Sequence, residues 1–252
     1  MINWNFNPEI FNLFGLSIKY YGLIYVMGFI ITFFYLDYLR KKQKIELSKE
    51  QIYDLIFYSI IGAVLGARIF EVLFWEPRYY FNNLLEIFAV WNGGMSFHGG
   101  LTGFFISLYL FSKKNRFSLL KLADILIIPG AFALALGRIG NFLNLELYGT
   151  ITNVSWCVNF QNVQGCRHPY QLYESLKSFI VFFILIILNK KEYRQGYLFL
   201  LGVLLLNIGR FILDFWKDDL HYFGLTIGQY LSLVFIIIIG YILLKYYKKR
   251  KI

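Results

Sequence analysis

The sequence predicts an all-α, polytopic membrane protein of about seven transmembrane helices, and three observations predict it: composition, the length of the apolar runs, and where the basic residues fall. Hydrophobic residues make up 58% of the 252 positions and charged residues 16%, with a mean hydropathy of +0.54. A soluble domain carries about 25% charged residues, so this chain is built for an apolar solvent. Apolar runs of about 17 to 25 residues recur along it, each long enough to cross a bilayer as a helix. Lys and Arg gather in alternate connections, which the positive-inside rule assigns to the cytoplasm.

The first run, Tyr20 to Tyr38, ends on Arg40-Lys41-Lys42-Gln43-Lys44. The second, Ile52 to Phe74, leads into a connection from Trp75 to Gly94 that is poor in basic residues and rich in aromatic ones. The third, Met95 to Phe111, is short and stops at Lys113-Lys114-Asn115-Arg116. The fourth, Leu122 to Leu143, opens into the connection Asn144 to Tyr170; the fifth, Leu172 to Leu188, is followed by Lys190, Lys191 and Arg194. The sixth, Gly196 to Phe215, leads through Trp216 to Thr226 into the seventh, Ile227 to Leu244, which ends at Lys245 and Lys248-Lys249-Arg250-Lys251. An odd number of spans puts every strongly basic loop on one side, with the N-terminus out and the C-terminus in. Residues 1–252 then form one membrane domain whose outward connections are 75–94, 144–170 and 216–226. Met1 to Lys19 has neither the basic start nor the small-residue cleavage site of a signal peptide, so the first span is expected to be retained.

The net charge of +10 follows from this topology, because basic loops lie against an anionic cytoplasmic leaflet. Neither zinc-finger spacing nor an RNA-binding aromatic motif accompanies it, and nucleic acid is not an expected partner. The two cysteines, Cys157 and Cys166, sit in the connection after the fourth span. They can close a small disulfide loop outside the cytoplasm. A catalytic thiol beside His168 is the sharper alternative, and a structural or incidental role is preferred. The three histidines and two cysteines show no paired ligand spacing, so no metal is expected.

Polar residues within spans are costly and mark sites. Placed by depth, Arg68 and Glu71 fall in the outer part of the second span, His98 in the first turn of the third, and Arg138 and Asn141 near the outer end of the fourth. Gln171 and Glu174 begin the fifth, and Arg210 and Asp214 lie in the outer third of the sixth. All converge on one leaflet, as the lining of a cavity would. Arg138 with Asn141, Arg210 with Asp214, and Tyr21 with Tyr25 are spaced to share helix faces. Gly93-Gly94-Met95-Ser96-Phe97-His98-Gly99-Gly100 forms a glycine-dense entry to a helix start of the kind that attracts anions. Structural readings stand beside these: Gly99, Gly100 and Gly103 for close helix packing, Arg210 with Asp214 and Arg68 with Glu71 as ion pairs, and His98 as a polar cap.

The segment Gly137-Arg138-Ile139-Gly140-Asn141-Phe142-Leu143-Asn144-Leu145-Glu146-Leu147-Tyr148-Gly149 resembles the signature of the bacterial prolipoprotein diacylglyceryl transferases, with every defining position filled. Tyr21-Gly22-Leu23-Ile24-Tyr25, Gly93 to Gly100 and His168-Pro169-Tyr170-Gln171-Leu172-Tyr173-Glu174 fit the same family in the same order, so the resemblance covers essentially the whole chain. It implies transfer of the diacylglyceryl group of phosphatidylglycerol to the lipobox cysteine of a prolipoprotein signal peptide, forming a thioether and releasing glycerol phosphate, as the first step of bacterial lipoprotein maturation. The implied setting is the bacterial cytoplasmic membrane, with the site toward the extracytoplasmic leaflet and membrane lipids around it.

On this resemblance Arg138 and Arg210 grip the phosphate, since arginine stays charged in low dielectric and binds phosphate through a planar fork. His98 is the economical general base for the thiol, and Glu146 takes the proton or orients an arginine. Asn141 and Asn144 hold the lipid head or the motif's own turn, Tyr21 lines the cleft, and Gly99 and Gly149 lie against the substrate. No metal or organic cofactor is implied. One departure stands out: the tyrosine that family members often carry one turn before the sixth-span arginine is Leu206 here, followed by Asn207. The competing class is a lipid or anion transporter or scramblase. The absence of an internal repeat and the one-sided charges disfavour it.

Overall fold

A bilayer forces the chain to satisfy its backbone within each span, and helices do so locally. In a computed structural model, which describes residues 2–7, 9–13, 16–161 and 163–247, helices accordingly dominate. They are α1 (Tyr20–Lys41), α2 (Lys49–Phe70), the short α3 (Pro77–Asn82), α4 (Phe97–Lys114), α5 (Leu119–Leu143), α6 (Tyr170–Leu188), α7 (Tyr197–Leu213) and α8 (Ile227–Ile242). Among the described residues six helices are long and apolar enough to cross a membrane: Gly22–Lys41, Lys49–Trp75, Leu119–Leu143, Tyr170–Leu188, Tyr197–Trp216 and Ile227–Lys245. The third expected span also forms a helix, α4, but is not among the six. His98, three glycines and the terminal Lys113 and Lys114 dilute its 18 residues.

Local chemistry sets the helix ends. Ser48 opens α2 and Thr226 opens α8 with reciprocal capping boxes, through Gln51 and Gln229. No such residue opens α7, where Gly196 holds the left-handed conformation. There Asp124 of α5 accepts the backbone N–H groups of Gly196 at 2.6 Å and Phe199 at 2.8 Å, capping α7 from a neighbouring helix.

The chain divides into two compact units, residues 33–122 and residues 1–32 with 123–252. In the first, α2 and α4 pack through facing glycines. A Cβ added at Gly62 would sit 2.6 Å from Gly103 O, and one at Gly99 would fall onto Gly66 O and the Phe70 Cβ. Gly99 therefore serves close helix approach, with its missing side chain directed at α2. Gly100 has ordinary contacts, at 3.4 Å from Ala63 O and 3.5 Å from the Ala67 Cβ. Gly99→Ala is expected to cost about 1–3 kcal/mol by overpacking, read as a lowered Tm in detergent, while Gly100→Ala leaves the melt nearly unchanged.

Arg68 is buried in this unit, and its partners are not the one its spacing suggests. Instead of pairing with Glu71 it donates to Ile87 O at 2.9 Å, Gly93 O at 2.6 Å, Gly94 O at 2.8 Å, Ala89 O at 3.0 Å, Tyr80 Oη at 2.9 Å and Glu86 O. It thereby gathers the carbonyls of the whole connection between α2 and α4. Its guanidinium also lies over the Tyr80 ring, 4.8 Å from the centroid.

In the second unit, the connection between α5 and α6 folds over a small apolar core of Phe142, Val158 and Phe160, with Trp4, Leu145, Tyr148 and Val163 around it. Strand β1 (Ile2–Trp4) joins it by parallel pairing to β4 (Val158–Phe160). Hairpins β2 (Glu9–Leu13) with β3 (Leu16–Lys19), and β5 (His221–Tyr222) with β6 (Leu225–Thr226), complete the short strands. Cys157 and Cys166 are joined in a disulfide, with Cα atoms 5.5 Å apart. Neither offers a thiolate in this state, so the structural reading of the pair holds and the catalytic one falls.

Candidate active site

The last turns of α5 carry Arg138 and Asn141 three residues apart, on one helix face. After Leu143 the chain reverses tightly: Leu145 has φ 57° and Leu147 φ 56°, a conformation that costs a residue with a Cβ about 1–2 kcal/mol. This reversal brings Glu146 back beneath the helix end. Its backbone N–H donates to Asn141 O at 2.9 Å, and its carboxylate accepts from Asn141 Nδ2 at 3.3 Å and Asn144 Nδ2 at 3.4 Å. Gln171, fully buried at the start of α6, donates to Glu146 O, and the Tyr148 hydroxyl donates to Leu145 O. Asn144 Oδ1 and Gln171 Oε1 are buried without a hydrogen-bond partner.

Gly149 ends the motif where three backbone segments meet. Its N–H donates to His168 O at 3.1 Å, and an added Cβ would lie 2.5 Å from that oxygen and 2.8 Å from Trp216 O. The position is a backbone crossing that excludes any side chain. His168, next to it, faces the Tyr173 hydroxyl at 3.1 Å, and burial pushes its pKa below the usual value, which favours the neutral ring near pH 7.

Behind the motif lies a cluster of ions. Arg138 Nη2 is 3.3 Å from Glu174 Oε2, and Lys177 Nζ takes both oxygens of the same carboxylate, at 2.9 and 3.0 Å. Arg210 Nε lies 3.5 Å from Asp214 Oδ2. Both carboxylates are buried; Asp214 also accepts from the Tyr170 hydroxyl, and from Thr226 Oγ1 at 3.4 Å. The lack of a side chain at Gly228 makes room for the pair, since a Cβ there would be 2.6 Å from Asp214 Oδ2 and 2.9 Å from Arg210 Nη2. The Lys177 stem lies against Gly209, the residue before Arg210, so the two ion pairs neighbour each other on α6 and α7. Three cations face two carboxylates, and the Arg210 side chain keeps 44% of its surface exposed while Asp214 keeps none.

The structure thus gathers Arg138 and Arg210 into one ion cluster and Asn141, Asn144 and Glu146 into one hydrogen-bonded turn. His98 and Gly99 belong to the other compact unit. There His98 is exposed on the first turn of α4, edge-on to Phe97, and Ser96 caps the helix by accepting the Gly99 N–H at 3.4 Å. The Tyr21 side chain lies outside the described residues. Among those described, no group of three or more His, Cys, Asp or Glu could hold a metal ion. Sequence reasoning missed Lys177. Its signal was present, as a lysine three residues after Glu174 inside an apolar span.

Residues 8–246 match the family model described as prolipoprotein diacylglyceryl transferase. Curated proteins named phosphatidylglycerol–prolipoprotein diacylglyceryl transferase are similar over nearly the whole chain. The one from Bacteroides fragilis is 35% identical over 271 residues, covering 100% of this chain and 97% of the relative. Those of Oleidesulfovibrio alaskensis (39% over 244 residues, 92% and 90%) and Rickettsia typhi (38% over 257 residues, 96% and 98%) match comparably.

Proposed function

Because the chain belongs to the prolipoprotein diacylglyceryl transferase family, we propose that its site moves the diacylglyceryl group of phosphatidylglycerol onto the lipobox cysteine of a prolipoprotein. The cysteine sulfur attacks the glycerol carbon that carries the phosphate. A C–S bond forms, the C–O bond breaks, glycerol phosphate leaves, and the thiol proton passes to a base. Negative charge grows on the departing phosphate, so cations aimed at it lower the barrier most.

The observation that carries this reading is the pair of arginines, Arg138 and Arg210, each set against a buried carboxylate while its own side chain keeps solvent access. The two arginines hold the phosphate. The hydroxyls of the glycerol head need acceptors, and Asn144 Oδ1 and Gln171 Oε1 are buried ones lacking a donor. Asn141, Asn144 and Glu146 keep the turn that presents the first, and α6 presents the second. His98 takes the thiol proton, and Glu146 is the second candidate for it. Tyr21, Gly99 and Gly149 complete the lipid's surroundings, Gly99 and Gly149 through the helix and backbone packing described above. Seven spans with the N-terminus out and the C-terminus in place these groups toward the extracytoplasmic leaflet of a bacterial cytoplasmic membrane. Both the phospholipid and the signal peptide that carries the lipobox reach the site from within that membrane.

Purified protein reconstituted with phosphatidylglycerol and a lipobox peptide is expected to release glycerol phosphate and to yield a peptide heavier by one diacylglyceryl group. Lipid movement between leaflets without release would instead support a scramblase and overturn the transferase reading. His98→Ala is expected to lower turnover by about 100-fold or more, the usual worth of a positioned base. Normal turnover in that variant, with loss in Glu146→Gln, would move the base to Glu146.

A further inference from the structure

Lys177 has no part in the reaction as described, yet it occupies an expensive position. It stands within α6, in an apolar span where an unpartnered ammonium costs several kcal/mol. Its side chain is only 14% exposed. The fold makes specific room for it: a Cβ at Gly209 of α7 would lie 2.5 Å from Lys177 Cγ, so the lysine stem fills the notch left by the residue before Arg210. The ammonium at its end takes both oxygens of Glu174 at 2.9 and 3.0 Å, whereas the Arg138 ion pair reaches one of them at 3.3 Å. Glu174 is shared by two cations, and Lys177 has the closer hold.

Charge counting shows what the lysine changes. Without it, Arg138 and Arg210 are balanced by Glu174 and Asp214, and the cluster is neutral. With it, one positive charge is left over. An arginine whose carboxylate is already neutralised can turn its remaining donors toward a phosphate, while one that must serve as sole counterion of a buried glutamate is held in place by it.

We propose that Lys177 is a positioning residue for the transfer reaction: by neutralising the buried Glu174 carboxylate from the Gly209 notch, it frees Arg138 to bind the lipid phosphate. This rests on the reading in which Arg138 and Arg210 grip that phosphate. Lys177 does not touch the reacting atoms; it sets the charge of the group that does.

The test is a charge-balanced pair of substitutions, assayed by glycerol phosphate release from phosphatidylglycerol vesicles with a lipobox peptide. Lys177→Met keeps most of the stem and removes the charge, and is expected to lower kcat/KM for the lipid by about 10- to 100-fold, the range for loss of a charge-assisted contact. Adding Glu174→Gln removes the carboxylate as well and restores the surplus charge, so the double variant should recover to within about threefold of the parent. A purely packing role for the lysine predicts no such recovery, because methionine fills the notch equally in both variants. Activity of Lys177→Met within twofold of the parent, or a double variant as impaired as the single one, overturns the proposal. Should the single variant fail to fold, Glu174→Gln is compared with the double variant: there the lysine has no carboxylate to neutralise, and a tenfold difference between the two overturns it. Arg138→Ala separates the underlying reading from this one. Full activity in Arg138→Ala sinks the phosphate assignment itself, whereas its inactivity together with a fully active Lys177→Met sinks the Lys177 role alone.

Discussion

Replacing Arg138 with alanine is expected to lower kcat/KM for phosphatidylglycerol by about 1000-fold or more, and Arg210→Ala by a similar factor, the upper range for removing one donor that stabilises a developing anion. The effect should be this large because the leaving phosphate gains charge as the C–O bond breaks, in surroundings drier than bulk water. Both variants should still fold. Glu174 keeps Lys177 as its partner when Arg138 is gone, and Asp214 keeps the Tyr170 and Thr226 hydroxyls when Arg210 is gone. Lysine at either position retains the charge but loses the planar fork, so Arg138→Lys and Arg210→Lys should recover only part of the loss. Glycerol phosphate release, read beside a thermal melt, checks all four variants. Activity of the alanine variants within tenfold of the parent would remove the arginines from the chemistry.

The second large effect is on stability. Arg68→Met is expected to destabilise the connection between α2 and α4 by at least about 3 kcal/mol, since one charged group satisfies five carbonyls and a hydroxyl there. Methionine fills similar volume and donates nothing, which leaves those carbonyls to find water or stay unpaired. Amide hydrogen exchange across residues 76–96 should quicken by about 100-fold or more, as a loss of that size implies. Activity should fall as well, because the same connection leads into the turn that presents His98. Exchange no faster than in the parent would show that the connection holds itself together without the arginine.

Much of this was legible in the sequence for a physical reason: a bilayer demands helices of a minimum length, and apolar run length is written directly in the residues. The expected second, fourth, fifth, sixth and seventh runs begin within about three residues of α2, α5, α6, α7 and α8. The Gly137 to Gly149 motif was legible too, since its polar residues interrupt an apolar stretch. Less legible were features made by backbone. Arg68 was paired with Glu71 on spacing, but its real acceptors are carbonyls, which every residue has and no sequence marks. The pairing of Ile2 with Val158 joins segments far apart in sequence, and strands three residues long leave no periodicity to read. Lys177 is less legible because it lies a turn beyond Glu174, deeper in an apolar run and outside any motif, although its spacing from Glu174 suits an ion pair on a helix.

The two left-handed leucines that flank Glu146 bear on turnover. A turn of this kind is rarely visited by a free chain and persists only where its surroundings over-determine it, as the amide and hydroxyl contacts from Asn141, Asn144, Gln171 and Tyr148 do here. Its geometry is thus set when the protein folds and does not wait for a ligand. If Glu146 serves the reaction as proposed, its carboxylate is presented by a turn that the fold itself holds, and a cycle need not begin by building that wall.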